Sequence, residues 1–401
     1  MVYMQTEAIL KVKSKFEKSY KAGFPLILKE AIHNIHDVTN EGMIIKLQDE
    51  KGHFIGKGYY GKQNKGYGWI LTQKENEKID QYFFETKIKT ALEKRKDLYN
   101  STETNAFRVF NSEGDGIGGL TIDYYNGYYV INWYSAGIFA FYDYVIQSLR
   151  NLVEYQGIYQ KKRFDTGGQY IEEDGFVDGR RGQFPLIVKE NGVHLAVYLN
   201  EGAMVGVFLD QRDVRKTILD KYAKGKRVLN TFSYTGVFSV FAALGGASKT
   251  TSVDLAKRSL DKTIEQFSIN GIDYNDHDII VEDVFQYFKY AVRKKKMFDL
   301  VILDPPSFAR SKKFTFSAQK DYKNLLKEAI AITEKNGIIV ASTNSANFDM
   351  KKFKVFIDQA FKESNLKYSI EEEFSLPSDF RTIKQYKEGN YLKVLFIKKL
   401  H

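Results

Sequence analysis

From about residue 205 onward, the apolar positions fall into short runs separated by amphipathic stretches. Arg227–Thr231, Thr250–Val253, Asp278–Val281, Phe298–Leu303 and Gly337–Ala341 read as strands. Val237–Leu244, Ala256–Asn270, Phe285–Val292 and Gln319–Thr333 read as the helices between them. Such alternation predicts an α/β architecture with a parallel, doubly wound, Rossmann-like sheet. In that fold a ligand sits outside the carboxyl ends of the strands, so residues that carry chemistry should gather there.

The first half is patterned differently. Residues 1–75 read as a small β-rich domain of short strands and turns, with Met43–Leu47 as a strand. In Gly52–Thr72 glycines are spaced among aromatics and lysines. That segment has two readings: a basic, aromatic RNA-contact surface, or a small barrel that uses glycine at its bends. The second has a slight preference on physical grounds. A mixed region follows, with a helix over Gln81–Asp97 and a strand over Ala106–Phe110. A glycine-rich turn at Gly114–Gly119 leads to strands Leu120–Ile122 and Tyr129–Trp133, then to a helix over Tyr142–Tyr155. Lys161–Gln183, rich in glycine and charge, reads as a long loop or boundary.

Composition narrows the chemistry. A chain of 401 residues exceeds one compact core. It contains no cysteine, which excludes disulfides and thiolate metal sites. Of six histidines only His33 and His36 lie close together, so no metal is expected. The net charge of +10 favours a polyanionic partner, although the lysines are spread along the whole sequence. No apolar run approaches the ~18 residues of a membrane span, and MVYMQTEAIL lacks the pattern of a secretory signal. A cytoplasmic protein with no membrane partner is expected.

Four strand ends carry candidate chemistry. Arg227–Thr231 runs into Phe232–Gly236 (FSYTG), where a dinucleotide enzyme needs GxGxxG to approach a pyrophosphate. One glycine without a phosphate cradle suits a ligand lacking phosphates, such as S-adenosylmethionine (SAM); an ordinary strand-to-helix turn would look the same. The second strand ends at Asp254, eighteen residues after Gly236, near the spacing at which this fold offers an acid to ribose hydroxyls. The third ends in Glu282, Asp283 and Val284, where a carboxylate can take an adenine amino group. Each acid singly reads equally well as a helix N-cap. All three features in order, at successive strand ends, argue for one binding site.

The fourth end is the most specific. Phe298–Leu303 meets Asp304-Pro305-Pro306-Ser307-Phe308, and proline must end the strand. Asp304 and the Pro305 carbonyl then form an acceptor cluster for an amino or imino group of a base, with Phe308 available to stack on its face. Arg310, Lys312 and Lys313 follow at the same edge and suit RNA phosphates. Arg293–Lys296 precedes the strand, falls at the opposite edge, and reads as a solvated turn.

With these residues in hand, the chain resembles the ribosomal-RNA large-subunit methyltransferases that join an N-terminal PUA domain to a class I SAM methyltransferase domain. The resemblance spans nearly the whole length and implies three parts: a PUA-like RNA-binding domain over residues 1–75, a linking α/β domain over 76–190 and a catalytic domain over 191–401. It is carried by Gly114–Asp123 (GDGIGGLTID), Gly206–Arg212 (GVFLDQR), Phe232–Gly236, Asp304–Phe308 and Tyr391–Phe396 (YLKVLF). It implies SAM contacts at Phe232, Ser233, Tyr234, Gly236, Asp254, Asp283 and Asp304, with Gln211 and Arg212 near the same site; Val284 is added from its place at the third strand end. It implies RNA, ribosomal RNA in particular, as partner; a second copy of the chain is the other partner considered.

One departure bears on the product. In members that make 5-methylcytosine the fifth strand ends in Ser-Cys-Ser or a close variant. Here Ser342-Thr343-Asn344-Ser345 puts Asn344 at the cysteine position. Asp304, Pro305, Phe308 and Asn344 are therefore the catalytic candidates. An RNA base methyltransferase is the leading reading. A SAM-binding RNA-contact protein without turnover is second. A small-molecule methyltransferase, with little need for some 190 preceding residues, is last.

Overall fold

The computed structural model describes residues 7–63, 66–164, 174–202, 204–310 and 315–401. The chain divides into two compact units and passes between them repeatedly. Unit 1 is made of residues 1–186, 198–205 and 378–389; unit 2 takes 187–197, 206–377 and 390–401.

Unit 1 begins with a four-stranded sheet of β1 (Ala8–Lys11), β2 (Ile44–Gln48), β3 (Phe54–Tyr60) and β4 (Gly68–Thr72), in that order, with α1 (Ser14–Lys21) after the first strand. Helices α2 (Gln81–Glu93) and α3 (Lys96–Tyr99) lead to a five-stranded sheet. Its strands are β5 (Ala106–Asn111), β6 (Leu120–Tyr125), β7 (Tyr128–Trp133), β8 (Gly157–Lys162) and β9 (Phe176–Gly179). The connection from β7 to its parallel neighbour β8 carries α4 (Ala136–Phe139) and α5 (Tyr142–Leu152). Strand β9 lies inside Lys161–Gln183, so the segment expected as loop supplies a sheet edge.

The two sheets share a core. Tyr59 and Trp69 of the first pack with Phe84, Phe107, Trp133 and Phe141, and the Tyr59 hydroxyl donates to the Gly118 carbonyl at 2.7 Å. A Cβ on Gly118 would come within 2.1 Å of the Trp69 ring, which accounts for one glycine of the GDGIGG run. Tyr59, Tyr60 and Trp69 are buried, and Lys57 is buried with its ammonium on the Glu75 carbonyl. Tyr59, Tyr60 and Trp69 of Gly52–Thr72 are thus core, while Phe54 and Tyr67 are half-buried and Lys62 is exposed.

Residues 378–389 complete unit 1. The buried Arg95 guanidinium pairs with both oxygens of buried Asp115, at 2.8 and 2.6 Å, and also donates to the Asp379 carbonyl. The Arg108 amide donates to Asp379 Oδ2 at 2.9 Å, and Asn111 Nδ2 to the Arg381 carbonyl at 2.8 Å.

Unit 2 starts with the hairpin β10 (Leu186–Glu190) and β11 (Val193–Val197), followed by α6 (Arg212–Thr217). Its main sheet contains β12 (Arg227–Thr231), β13 (Lys249–Asp254), β14 (Asp278–Val281) and β15 (Phe298–Leu303). After a short hairpin of β16 (Phe308–Arg310) and β17 (Thr315–Ser317) come β18 (Thr333–Thr343), β19 (Tyr368–Phe374) and β20 (Lys393–Lys399). The order across the sheet is β14-β13-β12-β15-β18-β20-β19. Five strands are parallel, but β20 runs antiparallel to both its neighbours. The wholly parallel expectation is corrected at that end.

Helices α7 (Val237–Leu244), α8 (Arg258–Ser268), α9 (Val284–Arg293), α10 (Ala318–Ile332) and α11 (Met350–Glu363) connect the strands. Alternate residues of each strand feed different cores: Leu229, Val301 and Ile339 pack with α9, α10 and α11, and Val228, Leu300 and Val340 with Phe238 and Phe396. The chain reverses its direction of travel across the sheet between β12 and β15. That reversal opens a crevice at their carboxyl ends.

Candidate active site

The loop after β12 is strained in a way that serves a binding turn. Phe232 (φ 55), Tyr234 (φ 52) and Gly236 (φ 77) are all left-handed. For the two non-glycines this costs roughly 1 kcal/mol or more each, sustained only where neighbours impose it. The neighbours are identifiable. The Ser233 amide donates to the Val253 carbonyl at 3.1 Å, the Tyr234 amide to Asp254 Oδ2 at 2.9 Å, and Thr235 Oγ1 to the Gly206 carbonyl at 2.7 Å. At Gly236 a Cβ would lie 2.4 Å from the Thr263 methyl, and its φ independently demands glycine.

Asp254, half-buried at the end of β13, holds this turn and its own: Oδ1 accepts the Ala256 amide at 2.8 Å. Each oxygen therefore takes one backbone donor and retains a lone pair for a ligand hydroxyl. Asp283 caps α9, its Oδ1 accepting the amides of Phe285 (2.9 Å) and Gln286 (3.2 Å). The cap leaves Oδ2 without a bond among the described residues. Val284 is buried in the core. Phe232 packs against the same core, its ring 6.4 Å from that of Phe285.

The end of β15 is built from side chains instead. Asp304 Oδ1 accepts from Ser342 Oγ at 2.8 Å and from Gln211 Nε2 at 3.2 Å, while the same Nε2 reaches Ser342 Oγ at 2.8 Å. The Tyr322 hydroxyl donates to the Ser342 carbonyl at 2.8 Å and pins the end of β18. Gln211 is delivered by the 206–212 segment. There the buried Arg215 guanidinium grips Glu190 through two bonds of 2.7 Å and donates to the Phe208 carbonyl at 2.8 Å. Tyr391 donates to Asp210 Oδ2 at 2.9 Å from the other side. Gln211 Oε1 is buried with no partner among the described residues, an acceptor left over for a ligand donor. Burial pushes the Asp304 carboxyl up to about 6. The Ser342 hydrogen bond pulls the other way, and the negative charge of Asp210 adds to the rise.

The remaining candidates are more scattered. Pro305 is buried, and Phe308 is 63% exposed at the start of β16. Asn344 is exposed, and its Oδ1 accepts from Ser307 Oγ at 2.6 Å. Arg212 is buried where α6 begins. Arg310 ends β16; Lys312 and Lys313 lie outside the described residues. Sequence reasoning did not foresee Ser342 as the link between Gln211 and Asp304, nor Tyr322 and Asp210 beside them. Nothing in the spacing marks these residues, because three distant segments bring them together.

Comparisons with known proteins agree with this layout. The family described as S-adenosylmethionine-dependent methyltransferase matches residues 181–385, and the PUA-like domain family matches residues 10–73. YwbD of Bacillus subtilis, provisionally named a ribosomal RNA large subunit methyltransferase, is 61% identical over 393 residues. That alignment covers 98% of this chain and 99% of the relative. Ribosomal RNA large subunit methyltransferase I of Alteromonas mediterranea is 33% identical over 382 residues, covering 94% and 96%. The crystal structure of SMU.776, provisionally described as a methyltransferase and complexed with SAH, superimposes with a TM-score of 0.90 at 38% identity, covering 98% and 99%.

Proposed function

The chain belongs to the SAM-dependent ribosomal RNA large subunit methyltransferase family that carries a PUA-like domain, and from that premise we propose that it methylates a base nitrogen of large-subunit ribosomal RNA in the cytoplasm. The observation that carries the reading is the Asp304–Ser342–Gln211 cluster at the end of β15, beside a turn anchored on Asp254.

The donor set suits SAM. Bound SAM supplies a methyl group activated on a sulfonium sulfur. Asp254 keeps acceptor capacity for the two ribose hydroxyls, and Asp283 Oδ2 for an adenine amino group. The unpartnered Gln211 Oε1 suits a ligand amine. Phe232, Ser233, Tyr234 and Gly236 shape the turn, and Arg212 lies next to Gln211 in the segment that approaches it. On the RNA side, Phe308 offers an exposed ring for stacking, and Asp304 with the Pro305 carbonyl accepts N–H groups of the target base. Arg310, Lys312 and Lys313 are retained as phosphate contacts.

A base nitrogen attacks with its lone pair and then gives up a proton. A carboxyl titrating at about 6 is ionised near neutrality, yet basic enough to orient that N–H group and take its proton. Cytosine C5 is different: it is too weak a nucleophile until a thiolate has added to C6. This chain has no cysteine, and at the corresponding position Asn344 accepts a hydroxyl rather than offering a nucleophile. Mass spectrometry of nucleosides from ribosomal RNA methylated in vitro with isotope-labelled SAM tests the proposal. An N-methylated nucleoside is expected; labelled 5-methylcytidine would overturn the choice of atom, and absence of label the choice of substrate.

A further inference from the structure

A second surface of unit 2 has the chemistry of a nucleic-acid groove. β14 is the outermost strand of the seven-stranded sheet, so one side of its backbone has no strand partner. Beside it α9 presents Gln286, Lys289, Tyr290 and Arg293. Their spacing of i, i+3, i+4 and i+7 puts all four on one stripe of the helix. Together with Lys296 they line a cavity of about 840 Å³ along the strand, a size typical of ligand-binding clefts.

The charges in this groove are unbalanced. Lys289, Arg293 and Lys296 have no carboxylate partner among the described residues. Of the two acids on its wall, Asp278 pairs with Lys249 Nζ at 2.9 Å, which leaves the exposed Glu282, whose Oε1 accepts the Asp283 amide at 2.8 Å, as one negative charge against three positive ones. Elsewhere in unit 2, cations such as Lys216, Arg227, Lys323 and Lys327 do have carboxylate partners. Tyr290 is 37% exposed, with its ring 5.9 Å from that of Tyr287 and the Lys296 ammonium 5.6 Å from its centroid, a contact that a stacking base would have to displace. The Tyr287 side chain beneath it is buried, with Thr251 beside its hydroxyl. Arg293–Lys296 is the mostly exposed turn that the sequence predicts, and its Arg293 and Lys296 also border this cavity.

Phosphate-binding cations, an accessible aromatic face and a line of free hydrogen-bonding groups are what single-stranded RNA requires. An acidic peptide would use the cations and the strand edge but gives no role to the tyrosine face. We infer that the β14–α9 groove binds a single-stranded segment of the RNA substrate, apart from the nucleotide being methylated. This rests on the RNA reading above.

The test uses the full chain, a large-subunit ribosomal RNA transcript, and calorimetric SAM binding as a check on folding. The triple variant Lys289→Glu, Arg293→Glu, Lys296→Glu should bind SAM normally but RNA at least tenfold more weakly. Its salt dependence should flatten by about 2 in log–log slope, since three phosphate contacts to a single strand contribute ~0.7 each. In methyl transfer, KM for RNA should rise while kcat holds. Tyr290→Ala should weaken RNA binding about fivefold or more through lost stacking, and Tyr290→Phe should not. If the wild-type chain binds the transcript and these variants bind equally well with an unchanged slope, the groove is not an RNA site. If the wild-type chain binds no RNA, the substrate reading itself falls, and this inference with it.

Discussion

β13 ends in an aspartate and β15 runs directly into one, but the two carboxylates are held in different ways. Asp254 is tied to the main chain, one oxygen on the Tyr234 amide and the other on the Ala256 amide. Asp304 is held by side chains alone, Ser342 and Gln211, at a site dry enough to push its carboxyl up to about 6. The first arrangement makes the acid part of the scaffold: it fixes the shape of a strained turn. The second leaves the acid able to change its protonation state in the range where enzymes work. Two residues that look identical in a strand-end pattern thus divide into one that shapes a site and one suited to chemistry.

That division can be broken by substitution. Asp304→Ala should show the largest effect, a ~10²–10⁴-fold loss of methyl transfer with SAM affinity much less affected, measured with radiolabelled SAM on ribosomal RNA. Equal losses in both would make Asp304 a binding residue. Asp254→Ala should weaken SAM binding by about 1–3 kcal/mol, read by calorimetry on the folded variant. Unchanged affinity would leave Asp254 with its scaffold role only.

The pH dependence sharpens the contrast. Transfer should fall as pH drops through about 6, where Asp304 takes up its proton; a flat profile from pH 5 to 8 would remove its role as acceptor. Stability has the opposite sign. The folded chain binds this proton more tightly than the unfolded chain, whose carboxyl titrates near 3.8. The Asp304 contribution is therefore greatest below that value and is lost as pH rises to about 6. Asp304→Asn should accordingly raise the urea midpoint more at pH 7 than at pH 4. The smallest effect is expected from Ser342→Ala. Losing a hydrogen bond that lowers the Asp304 pKa should move the acid limb of the activity profile to higher pH, at about 1 kcal/mol in transition-state stabilisation.

Much of unit 2 was legible because local patterning and the sheet impose the same boundaries. β12, β14, β15 and α7 begin and end where their apolar runs do. The segments missed have weaker signals. β19 (YSIEEEF) is an exposed edge strand in which three glutamates replace any apolar rhythm. β9 is a four-residue edge strand within a charged, glycine-rich stretch. In the candidate site, residues next to a strand end in sequence were readable, among them Asp254 and Asp304. Ser342, Tyr322 and the Glu190–Arg215 pair were not, since their roles depend on packing between segments far apart in the chain. In Gly52–Thr72 the pattern leaves a surface and a barrel both open, because it does not show that Tyr59 and Trp69 belong to a core that extends well beyond residue 75.

The return of residues 378–389 to unit 1 has a consequence for how the molecule is made. Arg95 and Arg108 emerge from the ribosome long before Asp379, which accepts from both. At ~5–20 residues per second, the stretch from 206 to 377 takes on the order of ten seconds or more to synthesise. Throughout that interval the buried Arg95–Asp115 pair lacks the segment that completes its bonding. Unit 1 is thus begun first and finished near the end of translation, after most of unit 2 exists. A gene cut between the two units would separate Arg95 from the segment it needs, so neither product would contain all of unit 1.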